Sequence, residues 1–191
     1  MQKGVLFMKF ITLDNVVSEI SNREFYSIIA DMIKHPTVQK MKNFNQHCDT
    51  SCFEHCLKVS YDTYVICKKL HLDYVSAARG AMVHDLFLYD WHTPRSWRTE
   101  KTLHAFSHPK IALKNAEKIF DLNEVEKDVI VHHMWPVTLA LPKTREGFII
   151  TLTDKYSAFI ESWSYFQRLL HSKKFYKYVY VFLSLIIIRI I

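Results

Sequence analysis

Glycine is almost missing from this chain: Gly4, Gly80 and Gly147 are the only three in 191 residues. No other feature constrains the fold as tightly. Two-residue hairpin turns need residues at positive φ, a role glycine fills best. A barrel or sandwich built from many hairpins is therefore disfavoured, and the 5 prolines supply few other turns. Three isolated glycines also cannot make the G-x-G-x-x-G turn of a dinucleotide fold or the G-x-x-x-x-G-K-[ST] phosphate loop. The expectation is an all-α chain. Set against the missing glycine is an excess of histidine, 11 residues, the commonest protein metal ligand and a proton carrier near neutral pH.

The hydrophobic share of 49% and charged share of 23% are those of a globular protein. The length suits one domain with a sizeable core, read as residues 1–171 with an apolar tail over 172–191. The net charge is +6, but no dense Lys/Arg run is present. A small anionic ligand therefore fits better than nucleic acid. Residues 1–11 carry Lys3 and Lys9 and no long apolar run, which does not match a secretory signal. A reducing, cytoplasmic setting is expected. Cys48, Cys52 and Cys56 fall every four residues on one helical face, without the C-x2-C spacing of zinc ribbons. They and Cys67 read as buried thiols.

Polar caps followed three residues on by Glu mark helix starts at Ser21, Ser51 and Asn123. The pattern predicts helices over about 22–34, from Ser51 to Leu70, from Asp73 through Asp85, from Ser107-His108-Pro109, from Glu124 to Met134, and from Phe148 to Leu170. Residues 91–107 and 139–147 read as loops. In the tail, Tyr178–Ile188 is uncharged but short of the ~20 residues a spanning helix needs. Packing on the domain, dimerisation or peripheral membrane contact are the open readings.

The unusual residues fall on the inward sides of these helices. His55 lies beside an apolar face, and Asp85 shares a face with Ala78, Ala81 and Met82. His108 opens one helix, His132 and His133 close another beside Val129, and Asp154 is four residues from both Ile150 and Ala158. A carboxylate on an apolar face is costly unless paired or bound to a cation. Each histidine alone is explained as a hydrogen-bonded core residue. Together, histidines and two carboxylates suit one or two first-row divalent ions, with Fe, Mn, Co, Ni and Zn not distinguished.

The order His55, His84-Asp85, Asp154 resembles the HD-domain metal-dependent phosphohydrolases, which are all-α bundles. Glu54–Val59, Ala77–Leu86 and Thr153-Asp154-Lys155 resemble that family's motifs, over roughly residues 50–165. His108-Pro109 and His132-His133 resemble the extra histidines of its two-metal H…HD…H…H…D subgroup, leaving open which of His132 and His133 is the ligand. The acidic pair of the alarmone hydrolases is absent after Asp85, and Met134-Trp135-Pro136 stands where cyclic-dinucleotide phosphodiesterases have Gly-Tyr-Pro. Both specificities are disfavoured.

The resemblance implies a hydrolase of phosphoester or phosphoanhydride bonds in a nucleotide or other small phosphorylated metabolite. His55, His84, Asp85, His108, His132 or His133, and Asp154 would hold the metal, with His84 and Asp85 at the catalytic centre and Asp85 as bridge. Metal-activated hydroxide would attack phosphorus. Arg79, Arg95, Arg98, Lys101, Lys143 and Arg145 are candidate phosphate-binding cations, or else ordinary solvated charge. Trp91, Trp97 and Trp135 are base-stacking candidates or core, and His92 or His104 is a candidate proton donor. The alternative is a non-catalytic, metal-stabilised interaction module.

Overall fold

A computed structural model describes residues 22–47, 50–91 and 103–171, and these are mostly helical. Arg95, Arg98 and Lys101, together with His92, Trp97, Cys48 and the tail, lie outside them.

The chain opens with α1 over 22–28, α2 (Ala30–Lys34), α3 (Pro36–Gln39) and a 3-10 turn, Lys40–Asn43. A short antiparallel hairpin follows, β1 (Asn45–His47) with β2 (Thr50–Ser51), pairing Asn45 with Ser51. The hairpin is missing from the sequence reading, because no Asn-Gly or Gly-X turn marks it. The main helices are α4 (Cys52–Lys69), α5 (Tyr74–Met82), α6 (His104–Ala116), α7 (Glu124–His132) and α8 (Arg145–Leu170).

Local chemistry sets most of the starts. Ser51 and Glu54 form a reciprocal capping box at α4, and Asn123 and Glu126 form another at α7. Asp73 caps α5 through the Ser76 amide at 3.0 Å. α4 is central, with α5 and α8 against it; α7 packs on α5, α6 and α8. The core joins Phe25, Met32 and Met41 from the N-terminal helices to Cys56, Tyr64, Met82, Leu86, Ala112 and Ile130.

Two glycines work by close approach. A Cβ on Gly80 would lie 2.9 Å from Val129 Cγ1, where α5 meets α7. One on Gly147 would lie 2.6 Å from Asp128 Oδ2 and 2.9 Å from Pro142 Cβ.

Three boundaries differ from expectation. α5 stops at Met82, so His84 and Asp85 stand in the turn beyond it rather than deep in a helix. The His84 ring donates to the Ala81 carbonyl at 2.7 Å, occupying the acceptor that another helical turn would use. α6 begins at His104, which places His108 and Pro109 inside it rather than at its first residues. α8 begins at Arg145, because Thr144 accepts the Gly147 amide at 3.0 Å and caps the helix ahead of Phe148. Cys52, Cys56 and Cys67 are buried free thiols, and burial raises the pKa of each. Among the described residues, no helix is long and apolar enough to cross a membrane.

Candidate metal centre

Six side chains meet where five helical segments converge: His55 from α4, His84 and Asp85 from the turn after α5, His108 from α6, His133 just past α7, and Asp154 in mid α8. All six are buried. Their donor atoms form two sets, His55, His84 and Asp85, and Asp85, His108 and His133, each with its atoms within 4.8 Å of one another. Asp154 joins them at 3.0 Å from His55 Nε2 and 3.6 Å from His84 Nε2.

The second ring nitrogens fix how the imidazoles face. Nδ1 of His84 donates to Ala81 O at 2.7 Å, that of His108 to His104 O at 2.8 Å, and that of His133 to Ile130 O at 2.8 Å. A carbonyl only accepts, so each of these Nδ1 atoms carries the hydrogen and each Nε2 is aimed at the cluster. His55 Nδ1 is held instead by Glu161, at 3.0 Å. Orienting metal-binding imidazoles through carbonyls and carboxylates is the common arrangement.

The inward atoms only partly satisfy one another: His55 Nε2 is hydrogen-bonded to Asp154 Oδ1 at 3.0 Å, whereas others are left short. Nε2 of His108 and Nε2 of His133 face each other at 2.9 Å, an arrangement that requires a cation, proton or metal, between two lone pairs. His84 Nε2 is buried without a hydrogen bond although Asp85 Oδ2 is 3.4 Å away. Asp85 Oδ1 also has none, although His108 Nε2 is 3.1 Å and His133 Nε2 3.5 Å away. The pairs are close but misaligned for each other, as donors directed at a common point are. The residues therefore fit a divalent cation, and the imidazole–carboxylate set does not choose among first-row metals.

Burial opposes a charge on His55, yet hydrogen bonds to Asp154 and Glu161 outweigh it and raise its pKa to about 10. Burial also opposes ionisation of Asp85 and Asp154, and the surrounding imidazoles reverse it, holding both carboxyls far below the usual range. Burial, with charge on His84 and His108, pushes His133 down to about 3.

His132 is not brought to this cluster. Its Nδ1 bonds Asp128 Oδ1 at 2.6 Å, and Asp128 also accepts from Thr144 N, Thr144 Oγ1 and Lys143 N. Arg79 is also elsewhere, donating to Asp31 at 2.8 Å and Glu126 at 2.8 Å. Lys143 and Arg145 are exposed and not among the residues that line the adjoining cavity. Trp135 packs edge-on against Phe148, with ring centroids 5.8 Å apart.

Four residues went unassigned in the sequence. Gln46, from β1, donates through Nε2 to Asp85 Oδ2, while its buried Oε1 makes no hydrogen bond. Glu161 holds His55; its position seven residues after Asp154, on the same helical face, is a signal the sequence did carry. Cys52 Sγ–H donates to the Asp85 carbonyl at 3.2 Å. Lys155 Nζ donates to the His133 carbonyl at 3.0 Å. A cavity of ≈ 540 Å³ opens on Gln46, Asp85, His108, His133, Asp154 and Lys155.

No family model matches the chain, and no solved structure matches it. A Bacillus subtilis (strain 168) protein named "Putative phosphohydrolase YueE" is 29% identical over 94 residues, 49% of this chain and 48% of that protein. The chain thus spans about half the length of the relative it matches.

Proposed function

We propose that this chain is a metal-dependent hydrolase of phosphoester or phosphoanhydride bonds in a small phosphorylated metabolite, built on an HD-type helical unit. The observation that carries this reading is the convergence of four Nε2 atoms and two carboxylates in one buried cluster, with His84 Nε2 and Asp85 Oδ1 left without a hydrogen bond. The name of the half-length relative points the same way.

His55, His84 and Asp85 would hold one ion, and Asp85, His108 and His133 a second, with Asp154 beside the first. Bound divalent metal supplies Lewis acidity, neutralising phosphoryl charge and lowering the pKa of water from 15.7 towards about 7. The chain does the rest. Asp85 offers one oxygen to each set, since Oδ2 faces His84 and Oδ1 faces His108 and His133. Ala81, His104 and Ile130 carbonyls fix the rings of His84, His108 and His133, Gln46 fixes the Asp85 carboxylate, and Lys155 adds a cation at the cavity wall.

Elemental analysis of the protein as isolated, paired with phosphate release by the Mn²⁺-loaded protein, tests the reading. One or two metal ions per chain are expected, with turnover abolished in the His84→Ala/Asp85→Ala double variant. Turnover that survives that variant, or metal-loaded protein inert on every phosphate compound, overturns it. The second outcome would leave a metal-stabilised interaction module.

A further inference from the structure

The ≈ 540 Å³ cavity is lined in part by the candidate metal ligands Asp85, His108, His133 and Asp154. The same cavity is lined by the apolar side chains of Leu103, Met134, Val137 and Ala158 and by the Trp91 indole. That indole stacks on the His104 imidazole with centroids 5.1 Å apart and planes 7° from parallel, giving a flat side. Lys155 is the one cation among the described lining residues. It is held beside the candidate ligands by its bond to the His133 carbonyl. Beyond the ligands, Lys155, Gln46 and the Trp91–His104 rings, the described lining is apolar, a chemistry that suits hydrocarbon.

We propose that the substrate is a phosphomonoester of an apolar alcohol, aryl or alkyl, with its phosphate at the ligand cluster and Lys155 and its hydrocarbon along the Leu103–Met134–Val137–Ala158 wall. This rests on the hydrolase reading above and narrows it. Water oxygen forms a bond to phosphorus as the bond from phosphorus to the alcohol oxygen breaks. The alcohol oxygen takes up a proton, so ester and water give alcohol and hydrogen phosphate.

Chain length is the probe. A methylene moved from water into an apolar site is worth roughly fourfold in affinity or kcat/KM. With full-length, Mn²⁺-loaded protein, kcat/KM for ethyl, butyl and hexyl phosphate should climb about tenfold or more per step until the cavity is full. 1-Naphthyl phosphate should exceed glycerol phosphate, ADP and pyrophosphate. Calorimetric binding of ethyl-, butyl- and hexylphosphonate, which cannot be hydrolysed, should show the same slope. Val137→Asp, at a half-exposed wall position, should flatten it. A flat series, or preference for glycerol phosphate or polyphosphates, overturns the inference and leaves the hydrolase reading standing. If no phosphate compound turns over, the hydrolase reading falls, and phosphonate affinity independent of chain length removes the apolar site as well.

Discussion

His132 and His133 show what a neighbouring residue decides. Adjacent in sequence at the end of α7, both follow Val129 closely enough to count as inward. The structure sends His133 to the cluster and ties His132 to Asp128 at 2.6 Å. The tie was visible as an Asp four residues before a His, a spacing that brings helical side chains together. Substituting each in turn should therefore separate them. His133→Ala should reduce metal bound per chain by elemental analysis, whereas His132→Ala should leave it unchanged and lower only thermal stability. Gln46 is the opposite case, for nothing in a single sequence joins it to Asp85, 39 residues away. Its role gives a second expectation. Gln46→Met keeps the volume and removes the donor to Asp85, so metal affinity should fall about 10–100-fold, the usual cost of losing a group that orients a ligand. Competition with a chromophoric chelator measures it. Unchanged affinity would make Gln46 a packing residue.

At the scale of elements, the capped helices were legible and the junctions between them were not. Ser51, Asp73 and Asn123 marked α4, α5 and α7 because a cap is a contact between near neighbours. The end of α5 was hidden, since it depends on a His84 ring that could equally have pointed outward. The start of α8 depends on Asp128, a buried carboxylate that accepts from Thr144 N at 2.9 Å and from Thr144 Oγ1 at 2.6 Å. Burial opposes its ionisation, and bonds from Thr144, Lys143 and His132 outweigh this and lower its pKa. A depressed folded pKa stabilises above the unfolded value of ~3.9 and loses that contribution as pH falls through the folded one. Asp128→Asn should thus be less stable than the parent at pH 7, by about 1–3 kcal/mol. The gap should narrow as pH falls below about 4, where the unfolded carboxylate takes up its proton, and close once pH passes below the lower folded pKa. Urea unfolding at both pH values would show it. Gly147→Ala tests the same junction. Alanine gains about 1 kcal/mol of helix propensity. Its Cβ, however, meets Asp128 Oδ2 at 2.6 Å, an oxygen that three hydrogen bonds hold in place. A lower melting temperature is expected despite the better helix former.

Over the whole molecule, the candidate ligands span positions 55 to 154, and no secondary element contributes more than one of them apart from the His84-Asp85 turn. That dispersal explains why the all-α character and the inward residues could be read early, while the cavity beside them could not. Inwardness is a property of each helix, but the cavity depends on how α6, α7 and α8 are placed relative to one another. It also means that metal binding at this cluster would be coupled to folding, because the candidate ligands on α4, α6 and α8 meet only in the folded chain. A cation at 100 times its dissociation constant stabilises the folded state by about 2.7 kcal/mol. For a chain near this size that is roughly 5–11 °C in melting temperature. Removing metal with a chelator should lower the melting temperature by that order, and Mn²⁺ should restore it. The His84→Ala/Asp85→Ala variant should melt at one temperature with or without chelator. The same chelator shift in the variant as in the parent would place the stabilising ion somewhere other than between these helices.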